Sequence, residues 1–171
     1  MLVYIILVLL VFILPLIGKI RIMKGVKVHG YTAAFIVIFG FCALRFDVGY
    51  DYSMYYGLIE GNFKFYNDQI NRIEFLSRQL ILFSNYSGFY QFFFVISSFV
   101  ITFFFYKTIK KNSSDIWLSI LIFISFPIFF FVSLSIVRQY MAVAILFYSF
   151  NFIKQRKFCS YLFVVLLNLH L

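Results

Sequence analysis

The chain has 171 residues, of which 64% are hydrophobic, 24% aromatic and only 12% charged, with a net charge of +9. A soluble domain averages roughly 25% charged residues and at most about half apolar ones, so this much apolar surface cannot be hidden in a water-soluble shell, and the composition reads as an integral membrane protein. The basic residues fall in short clusters between apolar runs, where they act as topology signals, which excludes a nucleic-acid-binding reading of the positive charge.

The first apolar run, Leu2 to Ile17, is preceded by no positive charge and followed by Lys19, Arg21, Lys24 and Lys27. That order is wrong for a cleaved signal peptide and predicts a retained span, with Pro15 as a kink near its end. The second run, Val28 to Leu44, offers about 26 Å of helix, near the minimum for a bilayer. Ala33, Ala34, Gly40 and Ala43 give it small residues for close helix packing.

Residues 45–88 form the longest polar segment. Within it Ile70, Ile73, Leu76, Leu80 and Phe83 recur at helical spacing, with Asn71, Arg72, Glu74, Arg78 and Gln79 on the other face. This pattern predicts an amphipathic helix, lying in a membrane interface or packed on the spans. A third run covers Phe89 to Tyr106. A fourth, Ile116 to Ser133, contains Pro127 as a kink or re-entrant feature. A fifth covers Val137 to Ile153, and a sixth begins at Phe158. The sixth stops at Leu171 without a polar flank, which reads as a span cut short. The expectation is therefore one all-α transmembrane domain over residues 1–171, with five full spans and a truncated sixth. Cys42 and Cys159 have no CxxC spacing and read as small apolar packing residues.

Lys and Arg number four, three and three in the first, third and fifth loops. The second and fourth hold Arg45, Lys64, Arg72, Arg78 and Arg138, with five acidic residues nearby. The positive-inside rule then places the N-terminus outside and the 45–88 segment on the outer face.

The same count brings three polar positions to similar outward depth: Arg45 with Asp47 and Asp51, Arg138 with Gln139, and His170. Polar groups near hydrocarbon are costly and often mark function. Arg45 fits an anion clamp, because a guanidinium fork matches phosphate oxygens; it equally fits an interfacial anchor or a partner for Asp47. Asp47 and Asp51, with Gly49 between them arguing for a turn, suit a divalent ion, a general base, a helix cap or a counter-charge for arginines. Arg138 sits unfavourably at a helix N-terminus, and either an anionic ligand or an internal carboxylate such as Asp51 would offset it. His170 fits a hydrogen bond to a neighbouring helix as well as a site. Asn85-Tyr86-Ser87 matches a glycosylation sequon.

Arg45-Phe46-Asp47-Val48-Gly49-Tyr50-Asp51-Tyr52 with Tyr55, Arg138-Gln139 with Ala142, Ala144 and Ile145, and then His170 occur in that order. This resembles the EpsG family of polysaccharide polymerases, related to the Wzy O-antigen polymerases, which carry R-(Y/F)-D-V-G-x-D-Y-x-x-Y after an early span and R-Q-x-x-A-x-A-I heading a later one. Members of the family are longer, so the chain corresponds to their N-terminal half, and the resemblance implies an active enzyme for the full-length protein and an inactive fragment for this half alone. The resemblance implies a multi-pass GT-C-like enzyme of the bacterial cytoplasmic membrane, of glycosyltransferase type. It would join repeat units for capsular, exopolysaccharide or O-antigen biosynthesis. Its partners would be an undecaprenyl-diphosphate-linked oligosaccharide, membrane lipids and other polysaccharide assembly proteins. The resemblance further implies substrate contacts at Arg45, Arg138, Gln139 and Tyr52, catalytic roles for Asp47, Asp51 and His170, and no committed metal or cofactor. A flippase or transporter for a lipid-linked sugar, or a non-catalytic membrane component, uses the same residues without bond making.

Overall fold

The structure, a computed structural model, describes residues 2–23, 26–61, 70 and 73–168. The first apolar run forms α1 (Leu2–Leu16), with Pro15 in its last turn. The basic loop that follows is not irregular: β1 (Lys19–Met23) and β2 (Val26–His29) pair antiparallel, Lys19 opposite His29. The all-α expectation holds, and this short hairpin is an addition to it. Its cause is legible, since Lys-Ile-Arg-Ile and Val-Lys-Val alternate charged and β-branched residues, the period of a strand.

The second run forms α2 (Gly30–Ala43), packed along α1. The close contact between them lies at Gly30, where a Cβ would come within 2.1 Å of the Leu14 carbonyl oxygen. It is not at Gly40, where a Cβ would meet nothing within 4 Å. The small-residue expectation holds at the buried Ala34 and Ala43, and is corrected from Gly40 to Gly30.

The polar segment contributes α3 (Tyr52–Ile59) and α4 (Phe75–Ser87), the latter closed by Gly88 in the left-handed region at φ +67°. The predicted apolar face of α4 is rotated. Ser77, Ile81 and Ser84 are buried, whereas Leu76 and Phe83 are exposed. Small hydroxyls let α4 lie close to its neighbours, and the Ser84 Oγ donates to the Leu80 carbonyl at 2.8 Å, so its burial leaves no unpaired donor. Ile70 and Ile73, ahead of the helix, are buried as expected.

The long helix α5 (Gln91–Asn112) runs through the centre and packs on α2, α4 and α8 (Val137–Lys154). Its buried hydroxyls are satisfied along the helix, Ser97 Oγ to Phe93 O at 2.8 Å and Thr102 Oγ1 to Ser98 O at 2.7 Å. At the far end Asn112 Nδ2 donates to Asn151 Oδ1 at 3.1 Å, and Lys154 Nζ donates to Asn112 Oδ1 at 2.9 Å. These bonds hold α5 and α8 in register.

The fourth run is two helices, α6 (Ile116–Ser125) and α7 (Pro127–Ser135), bent by 56°. Proline lacks an N–H and forces the preceding residue to extended backbone, and Phe126 has φ −85° and ψ 119°. A second break at Ile136, with φ −105° and ψ 67°, separates α7 from α8. The sixth run is α9 (Phe158–Asn168), which packs on α8 and buries no residue fully.

Among the described residues α5 alone is one helix long and apolar enough to cross a bilayer, and α6 with α7 would make a second if taken as one bent span. Helices α1, α2 and α9 are apolar but shorter. The expected count of five full spans is therefore not met by helix length, since α2 supplies only 14 residues against about 20 for a full crossing.

Candidate functional site

Arg45 follows the end of α2, is only 5% exposed, and turns its guanidinium inward. Its Nη1 donates to the Leu134 carbonyl oxygen at 2.8 Å. Leu134 lies in the last turn of α7, where carbonyls lack intrahelical partners and the dipole favours a cation. The Phe94 ring lies 4.7 Å from the guanidinium carbon, a cation–π distance. The Arg45 Nε is buried without a hydrogen-bond partner among the described residues. The titratable groups around Arg45 are the Cys42 thiol and the phenols of Tyr55, Tyr52 and Tyr4, with no carboxylate among them; burial pulls its pKa below the ordinary value.

Asp47 is exposed, at φ +50° in the left-handed region, and makes no ion pair with Arg45 among the described residues. Gly49, at φ +103°, presses against α7: a Cβ there would fall 2.0 Å from the same Leu134 carbonyl oxygen. The motif therefore grips one helix end twice, by the Arg45 guanidinium and by the bare backbone of Gly49. The Tyr52 N–H donates to Gly49 O at 3.1 Å, and this turn launches α3 from Asp51.

The first turn of α3 lies on α5. Tyr52 stacks on Phe94 with ring centroids 4.7 Å apart, and Tyr55 packs on Phe93 at 4.7 Å. Tyr55 brings in the second arginine, since Arg138 Nε donates to its hydroxyl at 2.8 Å. Arg138 Nη1 is ion-paired with Glu74. Burial pushes the Tyr55 phenol above its ordinary pKa, with Arg138 opposing. The structure thus brings Arg45, Tyr52, Asp51 and Arg138 around α3, while Gln139 is exposed beside them. His170 lies outside the described residues.

The two arginines differ in kind. Arg138 is half-buried and offset by a carboxylate, which is Glu74 where the sequence pointed to Asp51 as an example. Arg45 has no such offset. Glu74 is partly exposed, and exposed pairs contribute about 0.2–1 kcal/mol, so Glu74→Gln should lower thermal stability by no more than about 1 kcal/mol, read as a small Tm shift in detergent.

Several partners were invisible to motif reading. Gln91 donates from Nε2 to the carbonyls of both Ala43 and Arg45 at 2.8 Å, fixing the end of α2 to the start of α5. Phe93 and Phe94 sit in an unbroken aromatic run and carry no sequence signal of their own. Asn85, read as a sequon, donates from Nδ2 to Ile59 O at 2.5 Å and ties α4 to the end of α3.

Two spaces adjoin Arg45. One is a small cavity of about 10 Å³ among Cys42, Thr102 and Ser133, large enough for about one water. The other is an apolar groove of about 650 Å³ between α1 and α2, bordered by Leu7, Leu10, Val37, Gly40 and Phe41 and ending at Arg45 and Phe46.

The sequence profile of the EpsG family matches residues 28–169, which takes in both arginines and everything placed around α3. The chain belongs to the EpsG family. No curated protein and no solved structure matches it. The EpsG family is a Wzy-like polysaccharide polymerase family, associated with the membrane in polysaccharide synthesis. In this EpsG chain the two family-like segments, Arg45–Tyr55 and Arg138–Ile145, are in direct contact through Tyr55 and Arg138.

Proposed function

We propose that this protein takes part in joining lipid-linked oligosaccharide repeat units into a capsular, exopolysaccharide or O-antigen polymer on the outer face of the bacterial cytoplasmic membrane. The observation that carries the reading is Arg45: a buried guanidinium with no carboxylate beside it among the described residues, at the end of an apolar groove. A hydrocarbon tail and an anionic head would meet there. The Leu134 carbonyl and the Phe94 ring stabilise this cation but do not neutralise it; a buried charge without a counter-ion is costly, and a diphosphate would supply the missing negative charge and accept a guanidinium fork.

The reaction is displacement at an anomeric carbon. An acceptor hydroxyl oxygen forms the new glycosidic bond, and the bond to the lipid diphosphate breaks with its electron pair leaving on the diphosphate. Arg45 stabilises the departing charge, with Arg138 supporting it through Tyr55. Asp47 or Asp51 takes the hydroxyl proton.

Purified full-length protein given lipid-linked repeat units in vesicles tests the reading, with growth of a longer glycan as the expected result. Transfer of the unit across the bilayer with no new glycosidic bond would establish a flippase instead. Topology is tested in a background lacking Cys42 and Cys159. Tyr50→Cys should react with an impermeant thiol reagent from outside, and Arg156→Cys should not. The opposite labelling would invert the proposed orientation.

A further inference from the structure

A second cleft, of about 350 Å³, opens beside α3 and has a different character from the groove at Arg45. Its border comprises Phe46, Asp47, Tyr52, Ser53, Tyr56 and Gly57, and is completed by Glu60. Among the described residues it holds two carboxylates and no cation. Glu60 closes the C-terminus of α3 one helical turn after Tyr56, and its carboxylate is the first cause that pushes the Tyr56 phenol up to about 12. Phe46 is 70% exposed, and its ring meets Tyr52 edge-on at 5.9 Å. Gly57 leaves the floor empty, since a Cβ there would meet nothing within 4 Å.

These features select a ligand class. The carboxylates repel phosphate, so the lipid diphosphate does not belong here. Two carboxylates are fewer protein ligands than a dedicated divalent-cation site uses, and no group of three or more His, Cys, Asp or Glu side chains that would hold a metal occurs among the described residues. Carboxylates that accept hydrogen bonds, phenols that donate and accept, and an open aromatic face match a neutral polyol: hydroxyls to the oxygens, the C–H face of the ring to Phe46.

We propose that this cleft is a neutral-sugar subsite in which Asp47 and Glu60 accept hydrogen bonds from the hydroxyls of a glycan end that lies against Phe46, with Gly57 as the floor. The inference rests on the polymerase reading for one point, that the bound glycan is the acceptor. Helix α3 then separates two sites. Its Tyr55 side faces the cation Arg138, and its Tyr56 and Glu60 side faces the sugar. Asp47, next but one after Arg45, borders the cleft, and Phe46 between them borders both the cleft and the groove.

The test uses the whole protein in lipid nanodiscs. The probe is neutral oligosaccharide released by mild acid from the producing strain's own polysaccharide, and binding is read by saturation-transfer NMR. Signal is expected with the unaltered protein and with Gly57→Ala, whose added methyl barely enters the cleft. Gly57→Leu should lower the signal at least tenfold with an unchanged melting curve, because leucine suits a helix better than glycine and has open space to fill. Glu60→Gln should lower it at least fivefold, and serves should Gly57→Leu fail to fold. No signal with the unaltered protein, or equal signal with it and with both cleft variants, would overturn the subsite. The polymerase reading is separated by vesicle assay. Sugar binding lost in Gly57→Leu while even the unaltered protein makes no polymer supports the subsite and removes only its acceptor role. Polymer made equally well by Gly57→Leu and by the unaltered protein, with equal sugar signal, removes the subsite and leaves the polymerase.

Discussion

Arg45→Ala is expected to lower chain growth from lipid-linked units at least a hundredfold, in line with the loss of about 10²–10³ seen when one donor to a developing oxyanion is removed. Part of the effect would be structural. The substitution leaves the Leu134 carbonyl without the Nη1 donor now 2.8 Å away, and an unsatisfied buried acceptor costs about 1–3 kcal/mol. Arg45→Lys separates the two roles. A lysine keeps a donor and a charge near the end of α7, so it should hold most of the thermal stability. It lacks the planar fork, and chain growth should stay at least tenfold down. Wild-type growth by Arg45→Lys would mean that capping α7 is the whole role of the residue.

Gly49→Ala should be the most destabilising glycine-to-alanine change among the described residues. At φ +103° any side chain is strained, and this one would press 2.0 Å from the Leu134 carbonyl oxygen and 2.8 Å from its carbon. Backbone strain alone costs about 1–3 kcal/mol, and the clash requires α7 or the turn before α3 to move, so a total of about 3 kcal/mol or more is expected. Thermal unfolding in detergent measures it, with Gly40→Ala as the reference, since that methyl would enter open space. Equal melting temperatures for the two variants would show that the turn does not press on α7 in the protein. Chain growth should fall with Gly49→Ala as well, because Arg45 and the aspartates are positioned by the same turn.

Much of the helical order was legible because apolar runs separated by basic clusters leave little choice of register. Pro127 announced the break between α6 and α7 for the covalent reason that it has no N–H. The break between α7 and α8 carries neither glycine nor proline. It is held from outside, by Arg45 and Gly49, residues almost ninety positions earlier, and no local pattern reports that. The buried face of α4 was misread for a related reason. Leu76, Leu80 and Phe83 mark an apolar stripe, yet the face turned inward is Ser77, Ile81 and Ser84, selected for closeness rather than hydrophobicity. Of the site, the motif residues Arg45, Gly49, Tyr52, Tyr55 and Arg138 were visible as polar or aromatic oddities. Their supports Gln91, Phe93, Phe94 and Glu74 were not, because a phenylalanine among phenylalanines has no signature until its neighbour is known.

Phe93 and Phe94 also imply something about motion. As adjacent residues they leave the axis of α5 about 100° apart. One ring seats Tyr55 and, through it, Arg138; the other seats Tyr52 and lies under Arg45. The two cations therefore ride on one shaft. A small roll or slide of α5 shifts both together, so any closing of the site around a substrate would be driven from a single helix and would arrive at both charges at once.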